Sequence, residues 1–574
     1  MKNVLQVLKP FRLYIIIAMI LIFFQSMANL YLPNLMSSII NEGIINMDIN
    51  TVYKYGRYML YITIFAATCS VVATYIAAKV AAKFAMNLRL KIFEKISKFA
   101  TYEFNKIDTP SLITRTTSDV TQLQNLTLMM IRMMILAPMM CIGGIIMATS
   151  KNMQLSIMFL VVIPLIILII VMLGIRIVPL FKKSQELTDR INQIVRERLT
   201  GTKTIRALRT EKVEQEKYDD VNSKIYGVSL KIGYIFSILI PLLFFAINAS
   251  SVAIIWFGSG LISEGSIAIG DLLAFIQYAM QVLFSILMLA MLFVMIPRAL
   301  VSGKRIEEVL EMDPSISDKS TTKRVTKEAL DIEFNNVSFI YENSENKALE
   351  NVSFKVKKGE TLAIVGSTGS GKTTILKLLM RFCDPSTGSI KIGGIDIKDI
   401  SLKSLRDLIG YIPQKPSLFS GTIATNIKYG KEKATNKEMK LALQISNADE
   451  FVNEQEEKLN SKVAQAGINY SGGQKQRLSI ARAVIKRPNI YLFDDSFSAL
   501  DYATDNKVRT ELEKYTTNAT KIIVASRIST IINADNIILL EEGKVIAIGN
   551  HEQLYNNSVE YKEIVDSQLT KMEV

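Results

Sequence analysis

Six apolar stretches, each long enough to cross a bilayer as a helix, fill most of the chain before Gly303 and leave few architectures open. A crossing takes about 20 residues. The stretches run Leu13–Leu32, Tyr58–Val80, Leu128–Ala148, Leu155–Ile175, Ile232–Phe257 and Leu272–Ile296. The first follows Lys2, Lys9 and Arg12, exceeds the core of a signal peptide and is followed by no small-residue cleavage site, so it reads as a retained span. Beyond Gly303 the sequence has the composition of a soluble α/β domain. At 574 residues more than one core is expected.

Lysine and arginine are distributed unevenly between the spans. The segment after span two carries Lys83, Arg89, Lys91 and Lys95 among others, and that after span four carries Arg176, Lys182, Lys183 and Arg190 among others. The opposite side holds Lys54 and Lys151 with Glu42, Asp48, Glu264 and Asp271. The basic side is expected to be cytoplasmic, with both termini on it. The chain's net charge of +14 is thus an orientation signal rather than a nucleic-acid footprint, and no nucleic-acid partner is expected.

Both basic segments keep an apolar helical period, as in Leu88, Ile92, Ile96 and Phe99. Spans two to five therefore read as helices that continue well into the cytoplasm, turning near Asp108-Thr109-Pro110 and between Gly201 and Glu214, where they can touch a cytoplasmic domain. Methionines crowd span three (Met129, Met130, Met133, Met134) and recur in span six. Flexible side chains suit a pocket for varied apolar ligands, while for any single methionine packing or lipid contact is the plainer role. No acidic residue lies inside a span, which argues against a proton or sodium relay. Cys69, Cys141 and Cys383 lack ligand spacing, and His551 is the one histidine, so disulfide and histidine-metal sites are not expected.

After span six a helix, Lys304–Glu311, leads into the polar stretch Asp313–Lys327, an exposed linker by composition. Strand signals follow at Ile332–Phe334, Val337–Phe339 and Thr361–Val365. Then comes Gly366-Ser367-Thr368-Gly369-Ser370-Gly371-Lys372-Thr373-Thr374. This is a phosphate-binding loop between a strand and a helix. Its glycines let backbone N–H groups close around phosphate oxygens, Lys372 brings a charge to the β/γ-phosphates, and the Thr373 hydroxyl suits Mg²⁺. Asn489-Ile-Tyr-Leu-Phe-Asp494 reads as a buried strand ending in a metal-holding aspartate. Between them, Ser471-Gly472-Gly473-Gln474 opens a helix as an anion-binding turn.

In this order the motifs resemble the ABC transporter family: Ser471–Gln474 its signature, Gln414 its glutamine loop, Tyr341 its adenine-stacking aromatic and Ser498-Ala-Leu-Asp501 its aspartate loop. The resemblance covers essentially the whole chain. It implies an ABC exporter half-transporter: an all-α six-span domain (1–310), a linker (311–329) and an α/β nucleotide-binding domain (330–574) taking ATP and Mg²⁺. It further implies a dimer in which each ATP lies between the phosphate loop of one chain and the signature of the other. Thr373, Gln414 and Asp494 are then the expected metal ligands.

Two positions depart from that pattern. The family's glutamate after the strand aspartate is Asp495 here, and its switch histidine is Ser526. The shorter side chain retracts the carboxylate by about 1.5 Å. A misplacement of about 1 Å can lower a rate ~100-fold. A serine hydroxyl is neutral and does not reach as far as imidazole. The expected site holds ATP but hydrolyses it slowly, while the signature, intact apart from Tyr470 in place of leucine, completes a competent site on a different partner. Alternatives are a regulatory ATP-binding subunit gating a partner, or a homodimer with two weak sites. Six fused spans argue against a soluble ABC ATPase, and fusion of the two halves against an importer. Amphiphilic, lipidic and peptide substrates all stay open.

Overall fold

The computed structural model describes residues 2–318, 323, 325, 330–341 and 344–569. The chain divides into two compact units, one of Met1–Ser97 with Thr109–Met312, the other of Lys98–Asp108 with Asp313–Val574.

The first unit is helical. Its six long helices are Lys2–Ile44, Ile49–Ile96, Thr109–Lys151, Met153–Thr200, Glu211–Ser263 and Ile269–Glu311, each apolar enough to cross a membrane. A 48-residue helix is about 72 Å long, far more than the roughly 30 Å hydrocarbon core, so the helices of spans two to five extend well past the bilayer as the sequence suggests. Span six likewise runs unbroken through Pro297 to Glu311, absorbing the helix expected separately at Lys304–Glu311. Small residues let the helices approach closely: a Cβ at Gly144 would lie 2.7 Å from Val282 Cγ2. Many large apolar side chains, such as Leu168, Ile175, Phe245 and Trp256, face outward, as lipid contact requires.

Polar groups in this unit are paired near the helix ends. At one end Lys151 Nζ meets Asp271 Oδ1 at 2.7 Å, and Ser37 Oγ donates to the same oxygen at 2.6 Å. At the other, Arg115 pairs with Glu308 at 2.7 Å and Ser302 Oγ donates to Asp119 Oδ1 at 2.7 Å.

The second unit is built on two sheets. β1 (Ile332–Ile340), β2 (Lys347–Val356), β4 (Thr387–Ile392) and β5 (Ile395–Asp396) form an antiparallel sheet in the order β2-β1-β4-β5. The two strand signals at Ile332–Phe334 and Val337–Phe339 are one strand, β1, interrupted by a register shift where Asn336 takes φ 47°. The shift is what breaks the alternation of the sequence into two pieces.

The larger sheet contains β3 (Thr361–Val365), β6 (Ile409–Ile412), β9 (Ile490–Asp494), β10 (Thr520–Val524), β11 (Asn536–Glu541) and β12 (Lys544–Gly549), in the order β12-β11-β3-β10-β9-β6. All pairings are parallel except that of the edge strand β12. A small ribbon pairs β7 (Gly421–Thr422) with β8 (Lys462–Val463). β9 is buried throughout, and its alternation feeds two cores: Ile490 and Leu492 on one face, Tyr491 and Phe493 on the other.

The stretch expected to be an exposed linker is partly docked. Ile316 is buried, Ser317 O accepts from Arg381 Nη2 at 3.4 Å, and Asp318 Oδ1 accepts from Leu402 N at 2.7 Å. An apolar residue in a polar run had somewhere to go. Residues 319–322, 324 and 326–329 lie outside the described ones. The turn expected near Asp108 carries a short helix, Thr101–Lys106, that groups with the second unit, its buried Glu103 accepting from Ser315 N at 2.7 Å. The turn between Gly201 and Glu214 groups with the first.

Candidate nucleotide site

Parallel strands deliver their following loops to one edge, where open α/β sheets bind ligands. Four neighbours, β3, β10, β9 and β6, place Gly366, Ser526, Asp494 with Asp495, and Gln414 there in turn. Together with Tyr341, Thr368, Gly369, Gly371, Lys372, Thr373 and Thr374 they line one cleft of about 540 Å³. Residues 344 and 346–348 line it as well, which the sequence reading did not single out.

Backbone geometry makes the phosphate loop. Gly366 has φ 150°, and a Cβ there would sit 1.9 Å from Leu540 O; Gly371 has φ 99°, with Ala348 O 2.5 Å away. Neither position admits a side chain. Gly371 then caps the helix Lys372–Leu379, whose first N–H groups open onto the cleft. Lys372 Nζ donates to Gly366 O at 2.8 Å and Ser367 O at 2.7 Å. Burial lowers its pKa, against the nearby charges of Asp495 and Asp494. A partly desolvated ammonium ringed by carbonyls is suited to an incoming polyanion. Ser370 contributes differently: its Oγ is buried with no partner among the described residues.

At the opposite wall Thr373 Oγ1 donates to Asp494 Oδ1 at 2.8 Å, and Tyr411 Oη donates to Asp494 Oδ2 at 3.1 Å. Burial, then the Asp494 charge, raises the Tyr411 pKa. The phenol therefore stays a donor. Tyr411 is not among the motif residues read from the sequence; its signal is the Tyr-Ile-Pro-Gln run at the end of β6.

The two departures from the family pattern meet directly. Ser526 Oγ donates to Asp495 Oδ1 at 3.0 Å and Ser526 N to the same oxygen at 3.3 Å, while Gln414 Nε2 donates to Asp495 Oδ2 at 3.3 Å. Asp495 takes φ 46°, and its N–H donates to Val524 O at 2.9 Å. Both carboxylate oxygens thus face protein donors, one set from the turn after β10 and one from the loop after β6.

Tyr341 Oη lies 3.2 Å from Thr374 Oγ1, and Lys377 Nζ is 5.7 Å from the centre of its ring. The signature residues are elsewhere. Ser471–Gln474 do not line the cleft; Ser471 caps the helix Gly472–Val484 on an exposed surface, its Oγ accepting from Gln474 N at 3.2 Å and Gln474 Oε1 accepting from Ser471 N at 2.9 Å.

Comparison with known proteins agrees with this arrangement. Residues 15–309 match the ABC transporter transmembrane region and residues 349–498 the ABC transporter family. An uncharacterized ABC transporter ATP-binding protein of Mycobacterium tuberculosis is 37% identical over 567 residues, 98% of this chain and 97% of the relative. YfiB of Bacillus subtilis, also an ABC transporter ATP-binding protein, is 37% identical over 569 residues, 99% and 98% of the two chains. In fold the chain is similar to a bacterial Atm1-family ABC exporter solved with ATP bound, at a TM-score of 0.82 and 22% identity, covering 97% of this chain and 98% of that one. This protein belongs to the ABC transporter family, a multi-pass, ATP-hydrolysing half-transporter with the exporter fold.

Proposed function

We propose that this chain is one half of a heterodimeric exporter in a bacterial plasma membrane, with both termini cytoplasmic. It moves a small amphiphilic, lipidic or peptide substrate outward. Its own cleft holds ATP and turns it over slowly, and its signature completes the fast site of a different half-transporter.

The observation that carries this reading is the tie between Ser526, Asp495 and Gln414. A carboxylate that positions the attacking water has to present a free oxygen to it. Asp495 is one methylene short and is drawn back onto Ser526. Everything that grips the nucleotide is nonetheless present: the glycine cradle, Lys372, and the helix N-terminus that draws in the phosphates. Mg²⁺ fits the oxygen-rich pair of Thr373 and Asp494, 2.8 Å apart, and Gln414 would join them. When bound, the ion neutralises charge between the β- and γ-phosphates. On this chain Thr373 and Asp494 would hold it, Lys372 would orient the phosphates, and Tyr341 would take the adenine ring.

The test contrasts two substitutions in the purified complex. Asp495→Asn leaves transport and steady-state ATPase activity nearly unchanged, because the fast step runs at the other site. Ser471→Arg fills the signature turn and abolishes both. A homodimer predicts equal loss in the two variants, and that result would defeat the reading.

A further inference from the structure

The loop after β10 is held from two sides by elements outside the nucleotide cleft. Gln568, near the end of the helix Val559–Leu569, reaches it with both ends of one carboxamide. Gln568 Nε2 donates to Ser526 O at 3.0 Å, and Gln568 Oε1 accepts from Ile528 N at 2.8 Å. A primary amide is the side chain that gives and takes on adjacent atoms in this way. From the other side Arg509 Nη1 donates to Ser529 O at 3.0 Å, while its Nε donates to Asp505 Oδ1 at 3.0 Å.

What the clamped loop carries gives the clamp its meaning. On one side of it the Ser526 hydroxyl holds Asp495. On the other, Arg527 Nη2 reaches Ser498 O at 3.3 Å and Nη1 reaches Leu500 O at 3.5 Å, both in the aspartate loop. Gln568 thus grips the backbone on either side of Arg527. Two arms leave that point, one to the carboxylate in the cleft and one to the turn that ends at Asp501.

Packing fixes the Ile528 end of this loop, which is buried in the same apolar core as Tyr561 and Val565, and leaves the Ser526 end to polar contacts. A cleft of about 560 Å³ lies between the Ser526 end and the helix, bordered by Gly366, Leu540, Glu560 and Glu563. The helix itself is well anchored. Tyr561 and Val565 are buried, and Tyr561 Oη sits 2.9 Å from Nδ1 of His551. With the helix anchored and Ile528 packed on it, the Gln568 carboxamide is the polar link that sets the backbone of the Ser526 end across the cleft.

We propose that Gln568 is a positioning residue for ATP hydrolysis, through which the C-terminal helix sets the Ser526-Arg527-Ile528 backbone and, from there, Asp495 and the aspartate loop. The proposal goes beyond the division of labour between the two sites and holds whichever site is fast, since the loop serves the cleft directly and the aspartate loop through Arg527.

The test uses Gln568→Leu, which keeps the size and removes both bonds, in the full-length transporter purified in its assembled form. Hydrogen exchange of the amide of Ile528 speeds up about ten-fold, while amides of residues 559–567 keep their protection. The kcat for ATP falls by roughly three- to ten-fold with KM unchanged, because no residue that grips the nucleotide has moved. Tyr561→Phe is the control: it loosens the anchor of the same helix without touching the clamp, and lowers Tm without lowering kcat. A kcat equal to that of the unmodified protein in Gln568→Leu overturns the proposal. So does an equal kcat loss in Tyr561→Phe at matched Tm, which would assign the effect to fold stability.

Discussion

Asp495 and Ser526 touch, so if this cleft turns over slowly as proposed, repairing either alone should recover part of the hydrolysis, and repairing both should recover most of it. Two terms hold the carboxylate from the nucleotide. The missing methylene retracts it by about 1.5 Å, and displacement on that scale is worth about 100-fold in rate. The hydroxyl of Ser526, 3.0 Å from Oδ1, adds a bond to a charged acceptor. Breaking such a bond costs about 1.5 kcal/mol, a further factor of about ten. Asp495→Glu alone removes the first term but leaves the serine donor, and gains about 100-fold, a factor of about ten short of the full repair. Ser526→His alone frees a carboxylate that is still too short, and gains less. The double variant relieves both, and its retained ATP turns over on the order of a thousand-fold faster.

The assay follows nucleotide already seated at this site. The full-length protein is loaded with radiolabelled ATP, passed through a desalting column, started with Mg²⁺, and the bound label scored as ATP or ADP over time. The unmodified protein should keep its label as ATP over many steady-state turnovers of the complex. If it instead converts that ATP within one turnover, or if Asp495→Glu alone matches the double variant, the coupling argued from the Ser526–Asp495 contact is wrong.

Two further outcomes test other parts of the structure. Tyr411→Phe strips Asp494 Oδ2 of its 3.1 Å donor, and should weaken Mg²⁺-dependent ATP retention about five-fold while leaving Mg²⁺-free binding unchanged; equal loss in both conditions would mean that the phenol acts on the fold alone. A cysteine at Ser266 should react with an impermeant maleimide on intact cells and one at Ser184 only after permeabilisation, and the reverse pattern would invert the proposed topology.

How much of this was legible in the sequence depends on distance along the chain. The phosphate loop could be read because its glycines, Lys372 and Thr373 act within nine residues on the end of one strand, and the helix that follows is immediate. Asp494 could be read because an apolar run ending in a carboxylate is a local pattern too. The Tyr411–Asp494 bond joins residues 83 apart, on strands that become neighbours only through the order β10-β9-β6. The absence of the usual residues at Asp495 and Ser526 was visible, yet not that the replacements bond each other, since the adjacency of β9 and β10 decides it. The same holds for Ile316, whose burial depends on a surface that its polar neighbours do not announce.

The layout of the chain also supports the proposed division of labour between two composite sites. The signature turn satisfies itself: Ser471 and Gln474 exchange two bonds in a capping box, and the N–H groups of Gly472 and Gly473 at the start of a 13-residue helix remain to face an anion. None of Ser471, Gly472, Gly473 or Gln474 lines the cleft that holds Lys372 and Asp494. On the proposed reading, the anion that this turn faces is the one held by another chain's phosphate loop. On that reading the Asp495 and Ser526 side chains act on the cleft of this chain, whereas Ser471 acts on the site opposite. The chemistry of the two composite sites is separable residue by residue, so slow turnover at one is compatible with an intact signature at the other. What would still join them is mechanical, the path from Gln568 through Arg527 to Ser498 and Leu500, by which the helix Val559–Leu569 can influence the opposite site as well as its own cleft.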